Sequence, residues 1–326
     1  MRMRTTAWGL AAALAVTGTA YAGTSGDQRV ATTDRAVAGT ACAAFPADNY
    51  WHADIRKLPV DPRSKAWLSH MSTGLDLHPD FGPSFGAGPN YGIPITVVGH
   101  DHPRVRVHFT YASESDRVRY PLGRDTRIEG GARSDGDRHA IIVDRGVCKL
   151  YETFATRKRN GRWYAGSGAV WSLGSDALRP DGWTSADAAG LPILPGLLRW
   201  NEVRHGDIDH AIRFTTDITS THHIWPARHD AGSRRSWKYP PMGARFRLRA
   251  SYHPTGFGRK AMAVVRAMQT YGLVLADNGS PWFFQGEQNG HWPDRLIEQL
   301  KRIPARQFVA VDTSSLKVSR DSGATR

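Results

Sequence analysis

A mainly β fold is what the 326-residue sequence predicts: an antiparallel sandwich of jelly-roll, concanavalin-like type with two or three helices on its periphery. Three observations carry this. Ten short segments show strand alternation or compact apolar runs, each bounded by Gly, Pro or Asp. Only two or three segments show helical spacing. The body, 43–312, contains neither a repeat of fixed period nor an internal linker, so it reads as one domain. Many strands with few helices fit a sandwich with helices packed outside.

Taken in order, residues 1–22 read as a secretory signal peptide. Arg2 and Arg4 form a basic start, 7–16 is apolar, and Ala20-Tyr21-Ala22 is a small-residue cleavage site. Residues 23–42 are rich in Thr, Ser, Gly, Ala and charge and read as a flexible linker. Export would oxidise the two cysteines, so Cys42 and Cys148 are expected to pair. No later run approaches the ~18 apolar residues of a membrane span. A short helix is expected over 62–71. Strands are expected at 93–98, 105–111, 139–143, 147–154, 163–173, 208–215, 223–225, 246–250, 273–276 and 308–311. The spacing of Ala261, Met262, Val265 and Met268 predicts a helix over 257–271, with Gly272 as its stop. Pro293 opens a shorter one over 293–302. The tail, 313–326, reads as disordered.

The segment SDGDRHAIIVDRGVCKLYETF carries the first functional signal. If Arg145-Gly146 is a two-residue turn, Val143 faces Cys148, Ile141 faces Leu150 and His139 faces Glu152. Asp137, His139 and Glu152 then lie on one face among apolar residues. In GDIDHAIRFTT, His210 shares parity with Ile208, Ile212 and Phe214. Ionisable groups on a buried face suggest a partly desolvated site.

Glu152 with a second carboxylate, from Asp137, Asp187 or Glu202, suits glycoside hydrolysis, with His139 and His210 relaying protons. The same histidines with Tyr151 or an Arg suit β-elimination from a uronate. Asp137-x-His139 leaves a divalent metal as an alternative, but no HExxH or Cys/His cluster is present, and neither metal nor cofactor is expected. GSGAV is not a nucleophile elbow, and no phosphate loop or dinucleotide fingerprint occurs. Trp225, Arg228 and His229 in HHIWPARH, and Trp282 and Trp292 in SPWFFQGEQNGHW, are candidate substrate contacts, since aromatic faces stack on sugar rings. Asn278-Gly279-Ser280 reads as a turn. The net charge of +13 favours an anionic partner, but it is mostly Arg without a dense block, which argues against nucleic acid.

SDGDRHAIIVD, KLYETF, SADAAGLPILPGLLRWNEVRHGDIDHAIRFT, WPARH, PPMGARFRLRASYHP and VVRAMQTYGLVLADNGS together resemble a family of secreted, β-rich bacterial proteins common in actinobacteria. The resemblance implies export and a β-rich body and carries no activity with it. Asp137, His139, Glu152, His210 and Asp277 fall in the matching stretches, and Asp277 reads as a turn residue. The expectation is a secreted monomer acting on an extracellular polysaccharide, neutral or acidic. It would be a hydrolase, with a polysaccharide lyase and a non-catalytic carbohydrate- or wall-binding protein as alternatives.

Overall fold

The computed structural model describes residues 36–84 and 88–326; the expected signal peptide and most of the linker lie outside them. Among the described residues, the strands are β1 (His78–Asp80), β2 (Ile95–Val98), β3 (Val105–Phe109), β4 (Arg119–Tyr120), β5 (Ala140–Asp144), β6 (Lys149–Thr153), β7 (Arg157–Arg159), β8 (Arg162–Ala165), β9 (Gly168–Ser172), β10 (Ile212–Thr216), β11 (Arg245–Leu248), β12 (Leu273–Asn278), β13 (Phe283–Gln285) and β14 (Phe308–Val311). The helices are α1 (Ser64–Leu68), α2 (Trp200–His205), α3 (Arg259–Thr270) and α4 (Asp294–Leu300). The protein is β-rich with few helices, as its sequence predicts.

The pairing is not that of an all-antiparallel sandwich. Three sheets form, ordered β1-β13-β10-β12-β11-β14, β2-β5-β6-β9 and β4-β3-β8-β7. Each contains a parallel pair: β10 with β12, β2 with β5, and β3 with β8. Alternation within single strands says which face is buried but not which neighbour a strand chooses, so the mixed topology was not legible.

The sheet β2-β5-β6-β9 is covered on both sides, which is why β5 is buried throughout. Ala140, Ile142 and Tyr151 pack against Val107, Tyr120, Trp163 and Ala165 of the β4-β3-β8-β7 sheet. Ile141, Val143 and Leu150 pack the other way, onto Cys42, Phe45, Ile193 and Leu194. The Cys42–Cys148 disulfide forms, with a Cα–Cα distance of 5.4 Å. It closes a span of 106 residues. Residues 36–42 are therefore not linker: Ala36 bridges Ala43, and Val37 is buried. The six-stranded sheet makes the largest core, where Phe214, Phe246 and Phe284 meet helix residues Val264, Val265, Met268 and Leu300. Burying one such side chain contributes ~1.5–3 kcal/mol. Met262 lies at the margin of this stripe rather than at its centre.

The tail is also built into the fold. Gly323 accepts from the Tyr50 amide at 2.8 Å and Thr325 donates to Asp48 at 2.8 Å. Arg228 donates to the Arg320 carbonyl at 2.6 Å and to Asp321 at 2.8 Å. Asp48 lies 277 residues upstream of Thr325, so the order of this segment comes from distant contacts that its composition does not reveal.

Candidate functional site

The hairpin register differs from the predicted one. Val143 pairs with Leu150 and Ile141 with Glu152, so His139 lies opposite Phe154 rather than Glu152. The turn takes four residues, 145–148, instead of two, and Cys148 adopts a positive φ of 48° there. The shift is two residues, so the faces are kept: His139 and Glu152 share a side, diagonally.

Each then finds its own partners. The Glu152 carboxylate is fully buried and accepts the Ile193 amide at 2.9 Å and the Leu194 amide at 2.8 Å. Burial raises its pKa to about 7, against the lowering effect of those two amides. It pins the 193–194 loop and has no open side. Asp137 is exposed and acts on His139 only as a nearby negative charge, the least of the influences on its pKa. His210 lies before the strand, not in it, so its parity argument does not apply. Its Nε2 meets Glu202 at 3.1 Å and its Nδ1 meets the Ala211 carbonyl at 2.7 Å. Glu202 also pairs with Arg199. His210 thus belongs to a separate, closed group and does not join His139.

The predicted substrate contacts mostly serve packing. Trp282 is fully buried and donates to the Met71 carbonyl. Trp292 is buried and donates to Glu287 at 2.9 Å. Trp225 donates to Ser322 at 2.9 Å and Arg228 anchors the tail. The Tyr151 hydroxyl accepts from Arg104, which also pairs with Asp144 at 2.6 Å. His229 alone of this set lines a cleft.

That cleft, about 320 Å³, is walled by Tyr111, Glu114, Phe154, the 184–188 loop, His229 and Asp277. Behind its wall lies a connected array of charges. His139 donates Nδ1–H to Glu129 at 2.6 Å and Nε2–H to the Ala186 carbonyl at 3.1 Å. With both ring nitrogens donating, the ring is an imidazolium. Burial opposes that charge, but Glu129 outweighs it and raises the pKa to about 9. Glu129 is correspondingly lowered, against its own burial, by His139. Arg213 donates to Asp187 through Nε at 3.1 Å and Nη2 at 2.8 Å. The same Nη2 reaches Asp277 at 3.4 Å.

Local folding explains these positions. β10 is paired on both edges, by β13 and β12, and is buried along its whole length, so both faces are covered by other parts of the chain and Arg213, on the polar side of the sequence pattern, lies inside the protein. Asp187 turns its own loop, accepting the Ala189 amide at 2.9 Å. Gly190 closes that loop at φ +69°, where a Cβ would lie 2.5 Å from the Trp183 carbonyl. In β12 the register slips by one: Phe214 faces Leu275 but Thr215 faces Asp277. Ala276 is the bulged residue. Without it Asp277 would fall on the core side with Phe214; with it, Asp277 joins Arg213 and Thr215.

The two aspartates end up unlike. Asp187 has a fully buried side chain held by three donor contacts. Asp277 keeps 23% of its side chain exposed to the cleft and makes only the long contact to Arg213 and one to the Asn278 amide. Burial raises both; Asp277, further raised by the charge of Asp187, reaches about 7. With Glu129 and Asp187 ionised and His139 and Arg213 charged, the array is neutral when Asp277 holds a proton. In the same cleft lining, Glu114 accepts the Thr184 amide at 3.2 Å and lies 3.8 Å from His229 Nε2. His229 Nδ1–H donates to the Ala188 carbonyl at 2.8 Å, which turns Nε2 toward Glu114.

Chemically, one cleft holds a protonatable acid and an accessible carboxylate, with aromatic rings at the wall. Among the described residues no group of three or more His, Cys, Asp or Glu converges as a metal-holding set. No family model matches the chain, and neither a curated protein nor a solved structure matches it.

In the sequence Asp187 reads as a second carboxylate and Asp277 as a turn residue, while Glu129, Glu114 and Arg213 do not stand out as site residues. Only Arg213 left a signal, a cation inside a strand pattern flanked by apolar residues.

Proposed function

We propose that the protein is an exported hydrolase acting on an extracellular glycan, with Asp277 as general acid and Glu114 as the carboxylate that serves as base or nucleophile. The carrying observation is Asp277: a carboxyl open to the cleft, raised to about 7 by burial and by Asp187. A group near the working pH can both hold and release its proton, which is what acid catalysis of a leaving group needs. Glu129, His139, Asp187 and Arg213 act behind it as positioning residues. Phe154 and Tyr111 offer apolar faces suited to a sugar ring. The acidic groups the cleft exposes, Glu114 and Asp277, are joined by a single histidine and no exposed arginine or lysine, which favours a neutral sugar over a uronate. The disulfide supports export to an oxidising compartment.

The test is a screen of the mature chain against neutral and acidic polysaccharides, with and without a chelator. New reducing ends from a neutral polymer, absent with Asp277→Asn, are expected. Unsaturated uronate products would point instead to a lyase, and retention on insoluble glycan without release to a binding protein; either result overturns the reading.

A further inference from the structure

The outer face of the β4-β3-β8-β7 sheet carries positive charge that forms no ion pair among the described residues. Its inner face, Val107, Tyr120, Trp163 and Ala165, is core. Alternation then sends the intervening residues outward. Arg106 pairs with Arg119 across β3 and β4. β3 and β8 run parallel from Val107 opposite Trp163, so the preceding residues, Arg106 and Arg162, come side by side. Arg162 pairs with Arg159 across β8 and β7. Four arginines thus form one row, Arg119–Arg106–Arg162–Arg159, over four adjacent strands, a width of about 14 Å at the usual strand spacing. All four are exposed.

A second row lies beside the first. His108 faces Tyr164, which faces Arg157. Arg117 lines the same depression as Arg106, His108 and Arg119. That depression, about 570 Å³, meets another of about 590 Å³ lined by His108, Arg157, Arg159 and Tyr164. Among the described residues, none of the six arginines forms an ion pair with a carboxylate; Arg117 and Arg119 donate only to backbone carbonyls. Like charges directly opposite across strands destabilise a sheet. A chain that stacks four in one row, while other arginines such as Arg179 and Arg213 find acids, holds them where an external anion can lie.

We propose that this face binds an anionic polysaccharide, its uronate carboxylates seated on the arginine row. The guanidinium fork matches a carboxylate in two-point contact. The flat, wide row suits an extended polymer rather than a compact anion. Tyr164 is already stacked on His108, with ring centroids 5.2 Å apart, and is not a bare platform for a nucleobase. The two depressions share no lining residue with the cleft, so, on the function proposed above, this surface would hold the protein on a charged matrix while the cleft works on neutral sugar.

Binding of the mature protein to polygalacturonate at 50 mM salt, by calorimetry or affinity electrophoresis, tests this. Binding is expected, weakening about tenfold or more by 200 mM salt as screening sets in. The pair Arg106→Glu and Arg162→Glu should abolish it with no loss of melting temperature, since each new carboxylate faces an arginine; Arg106→Gln with Arg162→Gln should weaken it about tenfold and guards against misfolding of the reversal. Neutral dextran should not bind. The proposal is overturned if wild type fails to bind polygalacturonate, if both double variants bind like wild type, or if single-stranded DNA or phosphatidylglycerol vesicles bind more tightly at the same salt.

Discussion

The Arg199–Glu202–His210 group and the Glu129–His139–Arg213–Asp187–Asp277 array both bury arginine, carboxylate and histidine, yet only the second reaches a cleft. In the first, Glu202 lies between Arg199 and His210, and its pKa is lowered, burial being outweighed by those two partners. Glu202 has a partner on each side and no carboxyl is left over, and the result is a closed knot between α2 and the entry to β10. In the second, the cations are too few by one, and the carboxyl left over is the one facing solvent. Charged residues in a core therefore say little by themselves; the informative feature is an incomplete match at an accessible end.

The largest effect should separate the two directly. Asp277→Asn is expected to lower turnover by about 10²–10⁴-fold, the usual contribution of a positioned acid, with the fold intact. Glu202→Gln should leave turnover per folded molecule unchanged and act on stability instead. Equal activity of Asp277→Asn and wild type on a hydrolysed glycan would place Asp277 with the closed group.

Next in size is Arg213→Met. Removing one partner of a buried ion pair costs about 3–5 kcal/mol. Because the stranded groups are carboxyls that can take up protons, the loss measured by urea unfolding should be smaller at pH 5 than at pH 8. A loss independent of pH would mean that Arg213 acts through packing alone.

His139 gives the third prediction, and its sign follows from linkage. Its folded pKa, about 9, lies above its ordinary 6.5. Its contribution is therefore complete below pH 6.5 and is lost as pH rises through 9, amounting to up to about 3 kcal/mol. Asp277, raised from 3.8 to about 7, works in the same direction at lower pH, since its charged form is the disfavoured one. Melting temperature should fall between pH 6.5 and 9, and His139→Gln should flatten that fall. A wild-type profile already flat over this range would contradict the Glu129–His139 pair.

The smallest change is expected at Glu152, the residue the sequence pattern favoured most. In Glu152→Gln the amide oxygen still accepts from the 193–194 amides and its NH₂ is left without a partner, costing about 1–3 kcal/mol. Turnover should persist. Its abolition in a stably folded variant would return Glu152 to the mechanism.

What the sequence revealed, and what it hid, follows the same physics. Alternation placed β2, β3, β5, β6, β10, β11, β12 and β14 and the stripe of α3, because side-chain periodicity is local. It also kept His139 and Glu152 on one face despite a wrong turn. It missed the short β1, β4, β7 and β13, whose two or three residues carry no period, and α2, which is only six residues long. The site itself depends on facts no local pattern contains. Arg213 is buried because both faces of β10 are covered by distant parts of the chain, and Asp277 faces the cleft because Ala276 bulges. Trp282 and Trp292 looked like sugar contacts from composition, but their long-range partners made them core.

The central claim is that Asp277 carries a proton near neutral pH because Asp187 and burial hold it there. A carbon-detected NMR titration of the Asp277 carboxyl measures this without any substrate. The predicted midpoint is about 7 in the wild-type protein, moving down in Asp187→Asn, where the raising charge is gone and Arg213 is freed to attract. A wild-type midpoint near the ordinary ~3.9 of an aspartate would contradict the account.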